Sequence, residues 1–278
     1  MAAATHKTGV IGLGIMGRRM ITNLVNHDRF TNPCAWDPHQ HACADAVAET
    51  PGLTIMGSAD AVIAAADLVY IATPPLWHRE YAERAMAAGK PVYSEKPLGI
   101  DVADSRALVT ELEESGVPNV VNFIQAASRA VMLTEERIGS GALGDIMGAD
   151  IIVHFARWPR DWQVDADWLR FRDQGGHTRE VLSHFLYVTQ RLLGPATLKS
   201  AKPVYPTDTA LCETHISATL DCNGVPVSVL GSSGGAGPDR VEMTIWGSQC
   251  SYRLHDWFCL QFSDGGDWHQ EFPEVEDP

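Results

Sequence analysis

Apolar and polar positions over the first 120 or so residues follow two alternating periods. Short apolar runs at residues 7–12, 33–37, 53–56, 68–73, 91–94 and 117–123 predict six strands. The segments between them carry apolar residues at helical spacing, as in Met16, Met20 and Leu24. The run 68–73 is almost wholly apolar, which is typical of a strand buried on both faces. Strands that alternate with helices in this way predict a parallel, doubly wound α/β sheet.

The pattern changes after Phe123. Helical spacing returns at residues 128–138 and 178–193, while strand-like runs dominate elsewhere, at 146–155, 198–204, 211–221, 225–231, 240–246 and 251–254. Runs of strands with few helices favour an α+β domain with a mostly antiparallel, open sheet and helices on one side. We place the boundary near Gln125, which gives an α/β domain at 1–125 and an α+β domain at 126–278.

Composition and charge restrict the class of protein. The 278 residues are 45% hydrophobic and 20% charged, which is typical of a globular protein. The formal net charge of −14 opposes binding to nucleic acid or to an anionic membrane. No apolar run reaches the ~18 residues of a membrane helix. The six cysteines are scattered without a C-x-x-C pair, so we expect reduced thiols, a cytoplasmic location and no bound metal.

A glycine-rich turn follows the first strand and begins the first helix. In Gly12-x-Gly14-x-x-Gly17, the three glycines suit a tight turn, a close approach to a pyrophosphate, and close helix–strand packing. Asp37 ends the second strand, where a carboxylate accepts hydrogen bonds from ribose hydroxyls and repels a 2′-phosphate. The sequence therefore predicts a Rossmann domain that binds NAD, with NADP kept open by His39 and His41. The cofactor residues predicted here are Gly12, Gly14, Ile15, Met16, Gly17 and Asp37.

The tripeptide Glu95-Lys96-Pro97 ends the fifth predicted strand. A lysine at the carboxyl end of a strand in an open α/β sheet faces the crevice in which ligands bind. Three further motifs accompany it: Thr73-Pro74-Pro75-x-x-His78, Ala88-Gly89-Lys90-Pro91-Val92 and Gly141-Ala142-Leu143-Gly144-Asp145-Ile146. Together these motifs resemble those of the glucose–fructose oxidoreductase / inositol dehydrogenase (Gfo/Idh/MocA) family. The resemblance extends over roughly Gly9 to Pro195.

The resemblance implies an NAD(P)-dependent dehydrogenase or reductase that acts on CH–OH groups of a sugar, a cyclitol or a related hydroxy acid. Lys96 would lie beside the nicotinamide, bind the reacting oxygen and stabilise a developing alkoxide. Thr73, Pro74 and His78 would line the nicotinamide ribose, and Glu95 would belong to the same cofactor site. An exposed position at the start of a helix is the alternative for His78. The resemblance also implies association of the second domains into a homodimer or homotetramer.

A second informative segment begins with Gly175-Gly176-His177 and continues to His184. In the family, a glycine-rich turn leads into a helix with an acidic residue, usually Asp, and a histidine four residues later; here Glu180 and His184 hold those places. Residues four apart lie on one helical face. Histidine transfers protons near neutral pH, so we expect His184 to act as general acid or base, with Glu180 orienting it. The alternative for His184 is a core or capping histidine. His177 either contacts substrate or caps the turn.

Arginine and tryptophan are concentrated between residues 157 and 179, namely at Arg157, Trp158, Arg160, Trp162, Trp168, Arg170, Arg172 and Arg179. Interspersed acidic residues allow an ordinary solvated surface. A substrate loop is the alternative, because tryptophan stacks on sugar rings and arginine binds carboxylates or phosphates. Trp162 and Arg179 are the substrate-contact candidates in this segment, and they favour hydroxy acids or sugar acids.

Two other functions fit the same fold. The first is a non-catalytic dinucleotide-binding sensor, which would not require Lys96 or His184. The second is a glycoside hydrolase that uses tightly held NAD without net redox change. Because one fold hosts many functions, these alternatives stay open beside the oxidoreductase with a small-molecule substrate.

Overall fold

The computed structural model describes residues 5–272. The chain divides into two compact units, Met1–Asn122 and Phe123–Pro278. The boundary that we placed near Gln125 from the sequence lies three residues after Asn122, the last residue of the first unit. Within residues 5–272, no helix is long and apolar enough to cross a membrane.

Six parallel strands form the sheet of the first unit, in the spatial order β3-β2-β1-β4-β5-β6. The strands are β1 (Thr8–Ile11), β2 (Cys34–Trp36), β3 (Thr54–Ile55), β4 (Leu68–Ile71), β5 (Val92–Glu95) and β6 (Asn119–Asn122). The connecting helices are α1 (Ile15–Val25), α2 (Gln40–Glu49), α3 (Ala59–Ala65), α4 (His78–Ala87) and α5 (Val102–Ser115). The predicted doubly wound sheet is confirmed, and its order reverses at β1 and β4, where such folds bind ligands.

Local sequence determines where several of these helices begin and end. The Ser58 hydroxyl accepts a hydrogen bond from the Ala61 N–H at 3.1 Å and caps α3. The Asp101 carboxylate accepts from the Asp104 N–H at 2.9 Å and caps α5. Gly116, with φ of 68°, ends α5 in a left-handed conformation that glycine adopts readily.

Two apolar clusters pack on the sheet of the first unit. One joins Ile11, Val69 and Ile71 to residues of α3, α4 and α5. The other joins Val10 and Tyr70 to residues of α1 and α2. Adjacent residues of β1 and β4 point to opposite faces and belong to different clusters, so both faces of the sheet are covered, as expected for the continuous apolar run 68–73.

Eight strands form the sheet of the second unit, in the order β14-β13-β12-β11-β7-β10-β9-β8. The strands are β7 (Ile146–Phe155), β8 (Ala196–Val204), β9 (His215–Cys222), β10 (Val225–Ser233), β11 (Arg240–Gly247), β12 (Ser251–His255), β13 (Cys259–Ser263) and β14 (His269–Gln270). Its helices are α6 (Arg129–Gly139) and α7 (Ser183–Leu193). The predicted mostly antiparallel sheet is confirmed, with β7 and β10 as its parallel pair. Val131 of α6 and Phe185 of α7 pack in one core with Ile151 and Met243 of the sheet.

Two features of this unit differ from the sequence-based prediction. The predicted helix 178–193 begins as a π-turn, Thr178–Leu182, and becomes α-helical only at Ser183. Strands β13 and β14 were not predicted. The turn into β13 places Asp256 and Trp257 at φ of 46° and 70°. Asp256 tolerates the left-handed conformation, as asparagine and glycine do, whereas a tryptophan such as Trp257 rarely adopts it.

Candidate functional site

The glycine turn of the first unit is shaped by close packing on two sides. Gly12 has φ of +97°, and a Cβ there would lie 2.7 Å from the carbonyl carbon of Ala72. A Cβ on Gly17 would overlap the carbonyl oxygen of Gly12. Gly14, in contrast, has open space where a Cβ would project, and no side chain caps the start of α1. The backbone N–H groups of this helix start are therefore accessible to an anionic ligand, which fits a dinucleotide pyrophosphate.

Asp37 follows β2 and lies against this turn. Its Oδ2 accepts a hydrogen bond from the Leu13 N–H at 2.8 Å. Its Oδ1 accepts from the His39 N–H at 2.8 Å and lies 3.0 Å from the His39 Nδ1. The carboxylate is thus fixed at the end of β2 beside the glycine turn. Remaining lone pairs of its oxygens can accept hydrogen bonds from ribose hydroxyls.

His78 is buried, with 1% of its surface exposed, so the alternative of an exposed position is wrong. Its Nδ1 lies 2.7 Å from the Pro97 carbonyl oxygen, and its Nε2 lies 2.7 Å from the Thr73 carbonyl oxygen. The imidazole therefore lies between the loop after β4 and the loop after β5, and as a neutral ring it donates its one N–H to one of these two carbonyl oxygens. These loops carry the predicted cofactor residues Thr73 and Pro74 and, on the other side, Lys96. The arrangement favours a connecting role for the His78 ring over contact with the ribose.

Glu95 is also buried, with 5% of its surface exposed. Its carboxylate accepts hydrogen bonds from the Tyr70 hydroxyl and, at 2.6 Å, from the Asn122 Nδ2. The Tyr93 hydroxyl donates to the Asn122 Oδ1 at 2.9 Å. Burial, followed by the charge of Glu95, raises the pKa of Tyr70, so this phenol stays a donor. The Glu95 side chain therefore fixes the end of β5, directly before Lys96, and its contacts favour this role over direct contact with the cofactor.

The sequence did not single out the partners of Glu95. Tyr70, Tyr93 and Asn122 are polar groups on three adjacent strands, and the parallel register pairs Tyr70 with Tyr93 and Glu95 with Asn122. Once the strand register is known, polar side chains on adjacent strands at one end of the sheet could be recognised as a network.

Lys96 follows β5 at the carboxyl edge of the parallel sheet. Its charge acts on the neighbouring histidine, because the pKa of His78 is lowered first by burial and also by the positive charge of Lys96. Lys96 directly precedes Pro97, whose carbonyl oxygen lies 2.7 Å from the His78 Nδ1, so Lys96 and His78 belong to one cluster. The structure places the predicted oxygen-binding lysine at the edge of the sheet where ligands bind in this fold.

In the second unit, Glu180 and His184 are both buried, with 7% and 5% of their surfaces exposed. The His184 ring lies edge-on to two aromatic rings, Phe123 at 5.8 Å and Trp257 at 5.9 Å between centroids. Phe123 in turn stacks on Tyr187 at 4.5 Å. These aromatic neighbours restrict the rotation of the imidazole. Sequence reasoning missed Trp257 because it lies more than 70 positions beyond His184 in a turn without a motif.

One of the two alternatives for His177 was that it caps the turn, and the structure does not show this contact. Its side chain makes no capping hydrogen bond, is fully buried and packs edge-on to Trp158 at 6.1 Å. Such burial also disfavours direct contact with a substrate. The capping group is Glu213, whose Oε1 accepts a hydrogen bond from the Thr178 N–H at 2.7 Å. Sequence reasoning missed Glu213 because no local pattern connects it to this helix.

The sequence left two alternatives for the arginine- and tryptophan-rich segment, namely a solvated surface and a substrate loop, and the segment has features of both. Arg157 and Arg170 form exposed ion pairs with nearby aspartates, Asp161 at 2.8 Å and Asp167 at 3.2 Å. Trp162, in contrast, is 44% exposed and has the guanidinium of Arg160 4.6 Å above its ring. The remaining substrate candidate, Arg179, donates from Nη1 to the Gly175 carbonyl oxygen at 3.2 Å. All six cysteines are free thiols.

Because His78 and His177 are buried, we expect the free energy of unfolding to fall in acid. Burial is the largest cause that lowers the pKa of both His78 and His177. In the unfolded chain these rings take up protons below about pH 6.5, whereas in the folded chain they stay neutral to lower pH. Their contribution to stability is therefore fully present above about pH 6.5 and is lost as the pH falls towards their folded-state pKa values.

This loss can be measured as the midpoint of thermal unfolding between pH 8 and pH 5. We expect the midpoint to fall below about pH 6.5 in the wild type and to fall less steeply in His78→Asn. His41→Asn, on the exposed surface of α2, is the matched control and should keep the wild-type slope. An equal slope in His78→Asn and the wild type would contradict the assignment for His78.

Comparisons with known proteins place these features in context. Residues 6–123 match the profile of the oxidoreductase family with an NAD-binding Rossmann fold. An uncharacterized oxidoreductase of Streptococcus pneumoniae is 30% identical over 193 residues, which are 68% of this chain and 50% of that protein. Inositol 2-dehydrogenase of Rhizobium meliloti is 28% identical over 234 residues, covering 83% of this chain and 66% of the enzyme.

The solved structures agree on the fold. An oxidoreductase from Agrobacterium radiobacter, crystallised with NAD+, L-tartaric acid and magnesium, superposes with a TM-score of 0.84 at 19% identity. The match covers 96% of this chain and 79% of that protein. Among the first curated relatives, this chain spans about half of their length. The predicted NAD-binding Rossmann domain is confirmed, with NADP still open.

Proposed function

This chain belongs to the Gfo/Idh/MocA family of oxidoreductases, and we propose that it transfers a hydride between NAD(P) and a carbinol or carbonyl carbon of a small substrate. The observation that carries the proposal is Lys96 at the carboxyl edge of a sheet whose glycine turn fits a pyrophosphate. The substrate we propose is a sugar, a cyclitol or a related hydroxy acid. Relatives named inositol 2-dehydrogenase and a neighbour crystallised with L-tartaric acid support this class.

Lys96 would bind the substrate oxygen. When NAD(P) is bound, C4 of its nicotinamide supplies the hydride acceptor or donor. When the hydroxyl proton of a carbinol leaves ahead of the hydride, negative charge develops on the oxygen, and a positive ammonium group lowers the energy of that charge. The hydrogen bonds of the buried Glu95 carboxylate hold the backbone before Lys96, and the contact between His78 and the Pro97 carbonyl oxygen holds the backbone after it. Because the backbone at Lys96 is held, its amine would need little reorganisation during the reaction.

His184 would transfer the proton of the reacting hydroxyl. An imidazole accepts and donates protons near neutral pH, and the rings of Phe123 and Trp257 restrict its orientation. Glu180 lies four residues earlier, in the π-turn that leads into α7, and its carboxylate would favour and orient the protonated ring. Trp162 and Arg179 remain candidates for substrate binding.

Asp37 would make the chain prefer NAD. Its carboxylate repels a 2′-phosphate, so Asp37→Ala should lower the ratio of kcat/KM with NAD to kcat/KM with NADP by about tenfold or more. Both rates should also fall because the variant loses the hydrogen bond to the Leu13 N–H. Asp28→Ala is a control in an exposed turn and should leave the ratio unchanged. An unchanged ratio in Asp37→Ala would contradict the role of Asp37.

The function is tested by the absorbance of NADH at 340 nm across a panel of sugars, cyclitols and hydroxy acids. The proposal expects NADH to form with at least one substrate class. Tight NAD(H) binding without turnover on the panel would favour the sensor. Cleavage of a glycoside without net NADH would favour the redox-neutral hydrolase. Self-association into a dimer or tetramer is a separate proposal, tested by the mass of the protein in solution.

A further inference from the structure

The helix that carries Glu180 and His184 begins against a carboxylate from a distant part of the chain. Glu213 lies 35 residues beyond Thr178 and accepts its backbone N–H at 2.7 Å. The residue at the N-cap position, His177, provides no capping side chain. A carboxylate at a helix start accepts a hydrogen bond from an N–H group that has no partner within the helix. Its negative charge also interacts favourably with the positive end of the helix dipole. Glu213 therefore supplies a cap that the local sequence lacks.

The glycine turn before this helix is shaped around the same carboxylate. Gly176 has φ of +101°, and a Cβ there would lie 2.7 Å from the Glu213 Oε2. On the other side, a Cβ on Gly175 would overlap the carbonyl oxygen of Leu169. The turn is thus enclosed between the backbone at Leu169 and the side chain of Glu213. Larger residues at either glycine would separate the helix start from its cap.

The backbone around Glu213 is held on both sides of the residue. The Cys212 N–H donates to the Arg170 carbonyl oxygen at 2.9 Å, and the Thr214 N–H donates to the Val204 carbonyl oxygen at 2.8 Å. Glu213 itself is only 8% exposed. Its Oε1 lies 3.7 Å from the Nδ1 of the fully buried His177, which is beyond hydrogen-bonding distance. The carboxylate is therefore a fixed point against which the helix start is placed.

The π-turn adds a reason why this contact affects function. Residues Thr178–Leu182 form a single π-turn before the α-helix, and Glu180 lies within it. π-turns in helices are rare and frequently occur at functional sites. Thr178 is the first residue of this turn, and Glu213 accepts its N–H. The position of Glu213 therefore affects the position of the turn, and hence of Glu180 and His184.

We propose that Glu213 is a positioning residue, which fixes the start of this helix and thereby the placement of Glu180 and His184. The inference rests on the proposed function of those two side chains. Glu213 acts through the backbone N–H of Thr178 and does not itself contact the reacting atoms. A glutamine at this position would keep an oxygen acceptor for that N–H, whereas alanine would remove it.

The test compares Glu213→Ala, Glu213→Gln and the control Asp208→Ala. Asp208 accepts the Ala210 N–H at 3.0 Å in the same loop, away from the helix start, and is exposed. We expect Glu213→Ala to speed amide hydrogen exchange over residues 176–184 by about tenfold or more and to lower kcat by a similar factor. The KM for NAD should change by less than about twofold, because the cofactor turn lies in the other unit. Glu213→Gln should recover most of both losses, and Asp208→Ala should match the wild type.

Three results would overturn the proposal. In the first, exchange in Glu213→Ala is unchanged, so the carboxylate does not hold the helix start. In the second, exchange rises but kcat is unchanged, so the helix start does not position the reacting groups. In the third, Glu213→Gln loses as much as Glu213→Ala, so acceptance of the Thr178 N–H is not what places the helix start. A wild type that turns over no substrate would instead refute the proposed function, while the exchange data would still decide whether Glu213 holds the helix.

Discussion

Lys96→Ala is expected to lower kcat/KM by about 100-fold to 1,000-fold on any substrate that the wild type oxidises. The ammonium group would stabilise negative charge that exists mainly in the transition state, so its removal should lower kcat more than it raises KM. The affinity for NADH should change little, because the glycine turn and Asp37 remain intact. Steady-state kinetics and NADH titration by fluorescence together measure both parts of this expectation.

Lys202→Ala is the matched control for Lys96. Lys202 lies exposed on β8 in the second unit and should show wild-type kinetics after replacement. The thermal unfolding midpoint of each variant shows whether a loss of rate reflects loss of fold. An active Lys96→Ala enzyme with unchanged kcat would remove Lys96 from the proposed chemistry.

His184→Ala is expected to lower kcat by about 100-fold to 10,000-fold, which is the range for loss of a general acid or base. The pH dependence of kcat/KM should flatten as well, because the variant lacks the imidazole that gains and loses the proton. A lost structural contact alone would lower activity at every pH by a similar factor. The pH profile between pH 5 and pH 9 therefore separates a catalytic histidine from a packing histidine.

The control for His184 is His269→Ala, an exposed histidine of β14. It should keep both the rate and the pH profile of the wild type. His184→Ala with the wild-type pH profile would assign the proton to another group. Glu180→Gln is informative beside it, since the loss of an orienting carboxylate should reduce the rate less than the loss of the imidazole.

The fold of the first unit was predictable because each strand and helix has a local signal. The apolar run 68–73, the caps at Ser58 and Asp101, and the stop at Gly116 all correspond to the observed elements. The glycine turn was equally readable, since tight turns and close approaches require glycine whatever the rest of the chain does. The sequence predicted a parallel, doubly wound sheet because strands linked by helices pack in few ways, while the order of the strands came from the structure.

The parts that sequence reasoning missed depend on contacts between distant residues. Glu213 caps a helix 35 residues away, and no spacing rule connects the two positions. Trp257 adopts φ of 70° in a turn without glycine, so neither the turn nor β13 was visible from the sequence. The family resemblance of its motif assigned His78 to the nicotinamide ribose. Its two contacts with the carbonyl oxygens of Thr73 and Pro97 became visible only in the folded unit.

The most direct test of the central claim is deuterium transfer to the carbonyl form of a panel substrate from NADH that carries deuterium at both C4 positions, so that either face of the nicotinamide delivers the label. The reduced product is analysed by mass spectrometry after incubation with the wild type and with Lys96→Ala. We predict a product that is one mass unit heavier with the wild type, formed at least about 100-fold more slowly by the variant. A product without deuterium, or no product across the panel although NADH binds, would contradict hydride transfer as the function of this chain.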